Sequence, residues 1–574
     1  MKNNIFKMFL LTAILAFSSC ETFDLDQLND PSALDNNQSD PVYVFNYVQL
    51  TLPDFVYSAN AFTQRVTRQM AMTGGNTYNN AFAPVNSDNN WTTGYLMLNA
   101  IKSMEPKAIE NDYKYILGAS KVMRCYILMT MVDVYGNIPY SEALQGNANL
   151  TPKYDDSKEV YAGIYSELNQ AIELLAGSDP SEARDLYYGN DKGIGSSQRW
   201  VTLANTLKLK MMNNARLVET VGSYNVKDEM RTLIQNNDLI DSDDEDFAFQ
   251  YATSRVNPNS RHPLYNDQYE LGGGQYIANY FMWAVSREKN RGQDFDPRER
   301  FYFFKQAGIS SSTTNSTNLP CKSLGKPVHY EDSQYSSFFV GATVKATYCT
   351  SDNLTFTNPY LGRDHGDNSG IPSDDDIRTV AGIYPIGGEI GDPINVNSST
   401  NFGLTGELGK GIMPMVLSSY VHFIKAEIKL MHDIGPNTAL EELEAGIRAS
   451  IRKTTTFIPM PSDATQFLPT EAKITTYVNF IKTNYNSEGN TTARKLELII
   501  KEYYIAAWGN GIEPYNAYRR TGYPSNFQPT LEENPGDFYQ TAYYAGASVN
   551  NNPNAPSNNR TKRVFWDTAN LELH

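Results

Sequence analysis

The stretch from Asn111 to Tyr140, NDYKYILGASKVMRCYILMTMVDVYGNIPY, decides how this chain folds. Tyr115, Ala119, Val122, Tyr126 and Met129 recur at intervals of four and three, so they share one face of a helix over residues 111–135. Gly136-Asn137-Ile138-Pro139 then ends that helix, because these residues favour turns and proline cannot donate a backbone bond. The same periodicity recurs outward from this stretch. Helices are predicted at about 42–72, interrupted near Pro53, and at 158–176 and 199–219. Val160, Ile164, Leu168, Ala171, Ile172 and Leu175 form the apolar stripe of one; Trp200, Leu203, Leu207, Met211 and Ala215 form that of the next. Further helical patterns cover 414–433, 438–454, 470–483 and 491–508.

Between these two helical blocks, residues 241–410 are rich in Gly, Ser, Asn, Asp and Pro. So long an irregular stretch inside a compact protein is where binding surfaces tend to be built. The layout predicts a mainly α fold, a stack of helical hairpins carrying a large loop-rich insertion lobe. The scaffold is expected at about 41–240 and 411–510, the lobe at 241–410 and a loop-rich C-terminal segment at 511–574. Strict repeats of 34 residues are not visible. An all-helical body with merely decorative loops is the plainer alternative.

Charge narrows the partners. The 574 residues include 64 Asp and Glu against 48 Lys and Arg, a formal net charge of -16. Such a surface repels phosphate backbones and anionic lipid, so nucleic acid is not an expected partner. The 38 Tyr, beside 26 Phe and 5 Trp, suit surfaces that stack on sugar rings or grip polar peptides, although most tyrosines in a large protein are buried.

The N-terminus reads as an export signal. Lys2 and Lys7 precede a ten-residue apolar core, Met8–Phe17, too short for a bilayer that needs about 20 residues. Ser18 and Ser19 lead to Cys20, an arrangement that resembles a bacterial lipobox with residues 1–19 removed and Cys20 lipidated. An ordinary signal peptide with an incidental cysteine is the alternative. Each buried methylene contributes roughly 0.8 kcal/mol, so the two or three acyl chains of a lipoprotein would anchor it durably where one would not. Residues 20–40, with Glu21, Asp24 and Asp26, read as a polar tether. No later segment reads as a membrane span. Of the other cysteines, Cys125 falls in a helical pattern as a small buried residue, while Cys321 and Cys349 either stay apart or close a disulfide worth about 3 kcal/mol.

Catalytic patterns are missing from the sequence. The six histidines form no His-Glu-x-x-His pair, and no Gly-x-Ser-x-Gly elbow occurs. Gly409-Lys410 fails as a phosphate loop because Gly403 is one residue out of register and Gly411 stands where Ser or Thr is needed. The chain therefore reads as a binding protein and not an enzyme, with no cofactor implied. Asp364-His365-Gly366-Asp367 with Asp374, Asp375 and Asp376 offers oxygens for calcium, but a solvated acidic turn is the commoner outcome. The run from Asp241 to Asp246 lacks the glutamate of a calcium loop, having Ala252 in its place.

Several segments together resemble the SusD/RagB family of Bacteroidota outer-membrane nutrient-binding lipoproteins, in its second SusD-like branch. They are Asp26-Gln27-Leu28-Asn29-Asp30-Pro31, the run Asp133-Val134-Tyr135-Gly136-Asn137-Ile138-Pro139-Tyr140-Ser141-Glu142-Ala143, and Gly362-Arg363-Asp364-His365-Gly366-Asp367. Tyr504-Ile505-Ala506-Ala507-Trp508, Tyr518-Arg519-Arg520-Thr521-Gly522-Tyr523-Pro524 and Arg563-Val564-Phe565-Trp566 complete the match. The resemblance implies four irregular tetratricopeptide-like helix pairs forming a superhelix, with a loop-rich ligand lobe. It implies an outward-facing protein, anchored in the outer membrane through Cys20, that holds oligosaccharide or peptide for a SusC-like TonB-dependent transporter. A structural surface lipoprotein without a nutrient ligand is the third possibility. In starch-binding relatives the aromatic platform comes from the loop after the first helix and from the insertion. Here those regions offer Tyr78, Asn90 and Trp91, and then Tyr276, Tyr280 and Trp283. For each of these, structural packing is the commoner role. Arg519 and Arg520 are expected to tie the C-terminal segment to the core.

Overall fold

A computed structural model describes residues 40–189, 196–271, 275–286, 288–289, 295–305, 362–367, 379–391, 402–569 and 571–573. Cys20 with its signal peptide and tether, Cys321, Cys349, and Asp374, Asp375 and Asp376 lie outside the described residues.

Helix α1, Pro41–Val66, begins where the Asp40 side chain accepts from the Val42 amide, with proline at its first turn. It was expected to break near Pro53 and reach residue 72, but it runs unbroken and stops at Val66. Pro53 has no N–H, which leaves the Gln49 carbonyl one turn earlier without its helical donor. The Tyr187 hydroxyl donates to that carbonyl at 2.9 Å, and so replaces the missing bond. The early stop follows from Arg68, whose φ of 57° lies in the left-handed region and turns the chain out of the helix.

Helix α2, Asp88–Glu110, was not anticipated, because Gly94 and Pro106 interrupt its pattern. Gly94 is what lets it approach: an added Cβ would lie 3.0 Å from Met131 Sδ and 3.1 Å from the Phe55 ring. Helices α3 (Lys114–Tyr135), α4 (Ser157–Leu175), α5 (Ser196–Asn214) and α6 (Val226–Asn236) follow. Each packs on the one before and the one after, the contact pattern of stacked helical hairpins. By length and hydropathy α3 alone among the described helices would pass for a membrane span, but its residues are buried in this stack. Cys125, on α3, is fully buried and unpaired, as expected.

The second block comprises α8 (Ser418–His432), α9 (Ala439–Thr456), α10 (Glu471–Tyr485) and α11 (Thr492–Ala506), after α7 (Asn279–Ser286) within the lobe. Helix α9 packs on α8 and α10, and α11 returns against α8. A capping box, Thr438 with Glu441, starts α9. The C-terminal segment opens with a further helix, α12, Ile512–Thr521, which lies against α1 and α5 and so joins the two blocks.

Four short strands organise the lobe: β1 (Phe247–Gln250), β2 (Phe303–Lys305), β3 (Thr379–Ala381) and β4 (Ile412–Val416). The chain enters the lobe on β1 and leaves it on β4, and these pair antiparallel as its neck. Residues 414–416, expected to open a helix, thus belong to a strand. Strands β2 and β3 pair inside the lobe, over a second apolar core that includes Tyr269, Phe281, Trp283, Tyr302, Tyr384 and Trp508. Arg298 fixes the lobe to the helices. Its buried guanidinium bonds Asp296 at 2.8 Å, Glu502 at 2.9 Å and the Tyr477 hydroxyl at 2.9 Å.

Glu427 of α8 performs the same service between the blocks. It accepts from Arg216 Nε at 2.8 Å and from Arg520 Nε and Nη2 at 2.8 and 2.7 Å. Burial would raise its pKa, but the two guanidiniums overcome that and bring it down to about 2.

Two predictions follow from these ties. Tyr187→Phe should destabilise the protein by about 1–2 kcal/mol in urea unfolding, and the loss should shrink in a Pro53→Ala background that restores the donor. An equal loss in both backgrounds would refute the pairing. The folded pKa of Glu427 lies below its unfolded value, so its contribution is present above about pH 4.5 and fades as pH falls towards 2. It amounts to roughly 3 kcal/mol. Glu427→Gln should remove that part of the acid dependence, while costing about 3–5 kcal/mol at neutral pH through its two unpaired arginines.

Candidate ligand-binding clefts

The clefts owe their walls to Asp133, near the end of α3. Its buried carboxylate accepts from the Tyr161 hydroxyl, from Trp566 Nε1 at 3.1 Å and from Asn516 Nδ2 at 2.7 Å. Burial raises its pKa, against the pull of Lys210 and Arg519. Arg519 Nη2 donates to the Asp133 carbonyl at 2.6 Å while Nη1 reaches the Gln540 carbonyl at 2.7 Å. The same guanidinium lies 3.7 Å from the Tyr515 ring centroid and 4.8 Å from that of Trp566. Arg519 and Arg520 thus tie the C-terminal segment to the core, as the sequence suggested. Beyond α12 the chain is drawn across the helix ends: Ala542 N donates to Val134 O at 2.8 Å, and Ala547 N to Asp88 Oδ1 at 3.0 Å.

Three cavities open between this segment and residues 75–95. The first, about 450 Å³, lies among Val66, Tyr78, Phe82, His365, Pro529 and Tyr539. The Tyr78 hydroxyl is 3.1 Å from His365 Nε2. Burial, and then Arg68, hold that imidazole well below its ordinary pKa, so it is neutral at pH 7. Gly74 permits the approach of the His365 segment, since a Cβ there would fall 2.1 Å from Gly366 O. The second cavity, also about 450 Å³, has Ser58, Phe62 and Arg65 of α1 on one side and Asn80, Phe82, Asn86 and Tyr543 around it. The third, about 260 Å³, has Trp91, Tyr95, Leu144, Leu150 and Pro152 facing Ser548 and Asn551.

The sequence-selected residues divide accordingly. Tyr78, Asn90 and Trp91 line the first, second and third cavities in turn, but all three are buried. Asn90 and Trp91 stand on α2 and not on a loop. Asn90 Nδ2 donates to Phe55 O and Ser58 Oγ, both at 2.9 Å, and its Oδ1 accepts from Tyr135 at 3.0 Å. That leaves it a strut between α1, α2 and α3. Trp91 packs among Tyr95, Tyr135, Tyr154 and Tyr544, with ring centroids 5.1–6.0 Å away. Tyr276, Tyr280 and Trp283 line none of the three cavities and are buried in or beside the lobe's own core. The Arg363 guanidinium sits 4.5 Å from the Tyr276 ring centroid. The Tyr280 hydroxyl accepts from Lys501 Nζ at 2.7 Å and donates to Asn526 at 2.8 Å. The two regions therefore do not meet as one exposed aromatic platform.

Sequence reading missed Arg65, Phe82 and Tyr543. Asn80 and Asn86 belonged to an amide-rich run that was visible, whereas nothing local connects Tyr543 with residues more than four hundred positions earlier. Asp364 accepts from Asn279 Nδ2 at 3.0 Å, and among the described residues no cluster of three His, Cys, Asp or Glu side chains is placed to hold a metal ion.

Comparison with known proteins agrees with this architecture. The family described as "Starch-binding associating with outer membrane", the SusD-like second branch, matches residues 33–337, and "Susd and RagB outer membrane lipoprotein" matches residues 404–561. Among solved structures, a chitin-binding SusD homologue from Flavobacterium johnsoniae superposes with a TM-score of 0.62 at 18% identity, over 92% of this chain and 97% of that one. A SusD homologue from Bacteroides fragilis gives 0.59 at 20% identity over 91% and 99%, and one from Bacteroides uniformis gives 0.60 at 18% over 92% and 100%. No curated protein matches the chain by sequence. The helical-hairpin fold is thus the tetratricopeptide-like fold of these structures, and the chain belongs to the SusD/RagB family, in its SusD-like second branch.

Proposed function

We propose that this protein captures oligosaccharides at the cell surface, anchored in the outer membrane through a lipidated Cys20, and delivers them to a SusC-like TonB-dependent transporter. The observation that carries the reading is the second cavity. Amides of Asn80 and Asn86 and hydroxyls of Thr77, Ser58 and Ser87 surround it, beside the rings of Phe62, Phe82 and Tyr543. Sugar rings need this combination, with apolar faces to cover their C–H surface and amides to exchange hydrogen bonds with their hydroxyls. The family supports an outer-membrane setting, and one structural relative is described as chitin-binding. The role is capture and transfer, without a catalytic step. A peptide ligand is the second reading, favoured by the apolar walls of the third cavity, Leu144, Leu150 and Pro152.

Glycan and peptide arrays probed with the protein lacking residues 1–20 separate the two. On the glycan reading, Tyr543→Ala should weaken oligosaccharide binding about tenfold, near 1.4 kcal/mol, without moving the unfolding midpoint. Unchanged affinity would remove the second cavity as the site. Tagged protein should co-purify with a large β-barrel transporter from detergent-solubilised outer membranes, and a preparation without one would contradict the delivery role.

A further inference from the structure

Among the described residues that wall the second cavity, Arg65 is a cation and none is an aspartate or glutamate. In a chain with 64 acidic residues against 48 basic ones, a cavity with that balance is a departure. Arg65 stands in the last turn of α1, where the helix dipole favours a cation. That preference would be met as well by a side chain in open water.

Arg65 is instead only partly exposed, and among the described residues it forms no side-chain hydrogen bond and no ion pair. Arg124, Arg216, Arg298 and Arg520, by contrast, each bond a carboxylate at 2.7–2.8 Å. Burial draws the pKa of Arg65 down, and Tyr57 and Asp267, close enough to feel its charge, only partly offset this. A guanidinium withdrawn from water loses hydration that an anion in the same cavity restores. Its planar fork matches a carboxylate in a two-bond geometry that no amide in the cavity reproduces.

The neighbours decide which anion. Phe62 and Tyr543, both partly exposed, offer ring surface, and Asn80 and Thr77 offer exposed hydrogen-bonding groups, so the carboxylate belongs on a polyhydroxylated ring. Building on the oligosaccharide reading above, we propose that the second cavity selects acidic glycans, with a uronic acid carboxylate held by Arg65. The net charge of -16 works against non-specific retention of polyanions, so this selectivity falls to Arg65 and its surroundings.

The test is calorimetric titration of the full-length chain in detergent with oligogalacturonate, alginate and chondroitin oligosaccharides, each beside its carboxyl-reduced counterpart. At least one acidic probe should bind ten times or more tighter than its reduced form. Arg65→Gln should abolish that preference, so that acidic and reduced forms bind alike, and Arg65→Lys should retain part of it. Thermal unfolding of both variants checks that they remain folded. If the reduced forms bind as well as the acidic ones and Arg65→Gln changes neither, acidic selectivity is overturned while glycan capture stands. If no glycan binds but peptides with a free C-terminal carboxylate bind in an Arg65-dependent way, both readings fall. Absence of binding by every acidic probe also overturns the proposal.

Discussion

A carboxylate with no access to water holds this architecture together. Asp133 lies near the end of the central helix α3, and its oxygens and carbonyl gather Tyr161, Asn516, Arg519 and Trp566 from three distant parts of the chain. An isolated charge buried there would be prohibitively costly, so it is tolerated only while all its donors are in place. Losing any one of them exposes the others to the same penalty. The arrangement therefore behaves as a unit, and it sets the path of the C-terminal segment. That segment in turn supplies Tyr539, Tyr543 and Ser548 to the cavity walls, so those walls depend on a carboxylate that itself lines none of the three cavities.

This explains why the fold was legible. Asp133, Arg519 and Trp566 each lie in a short segment that carried the family resemblance, and the structure places those segments on one another. Helical periodicity located most of the scaffold, because amphipathic stripes such as Val160 to Leu175 reflect burial on one side. It failed where tertiary contacts outweigh local preference. Gly94 and Pro106 weaken the signal of α2, yet Gly94 is required for its approach to Phe55. Pro53 looked like a break because the hydroxyl that compensates for it arrives from Tyr187, over a hundred residues later.

The candidate site was less legible, for a physical reason. Residue type marks what could stack on a sugar but not which face remains uncovered. Trp91 and Tyr280 have the right chemistry, and the fold spends them on packing, among tyrosines in one case and around the buried Lys501 in the other. Arg65 carried no local signal, since what distinguishes it is that it has no side-chain hydrogen bond or ion pair among the described residues. Tyr543 acquires its position only through the clamp at Asp133 and Arg519.

Amide hydrogen exchange on Asp133→Ala tests that clamp most directly. The account predicts faster exchange across residues 538–552, including Gln540 and Ala542, whose amides bond Arg560 and Val134, with α9 and α10 unchanged. Protection of residues 538–552 at the wild-type level would contradict it, and would mean that the cavity walls stand without Asp133.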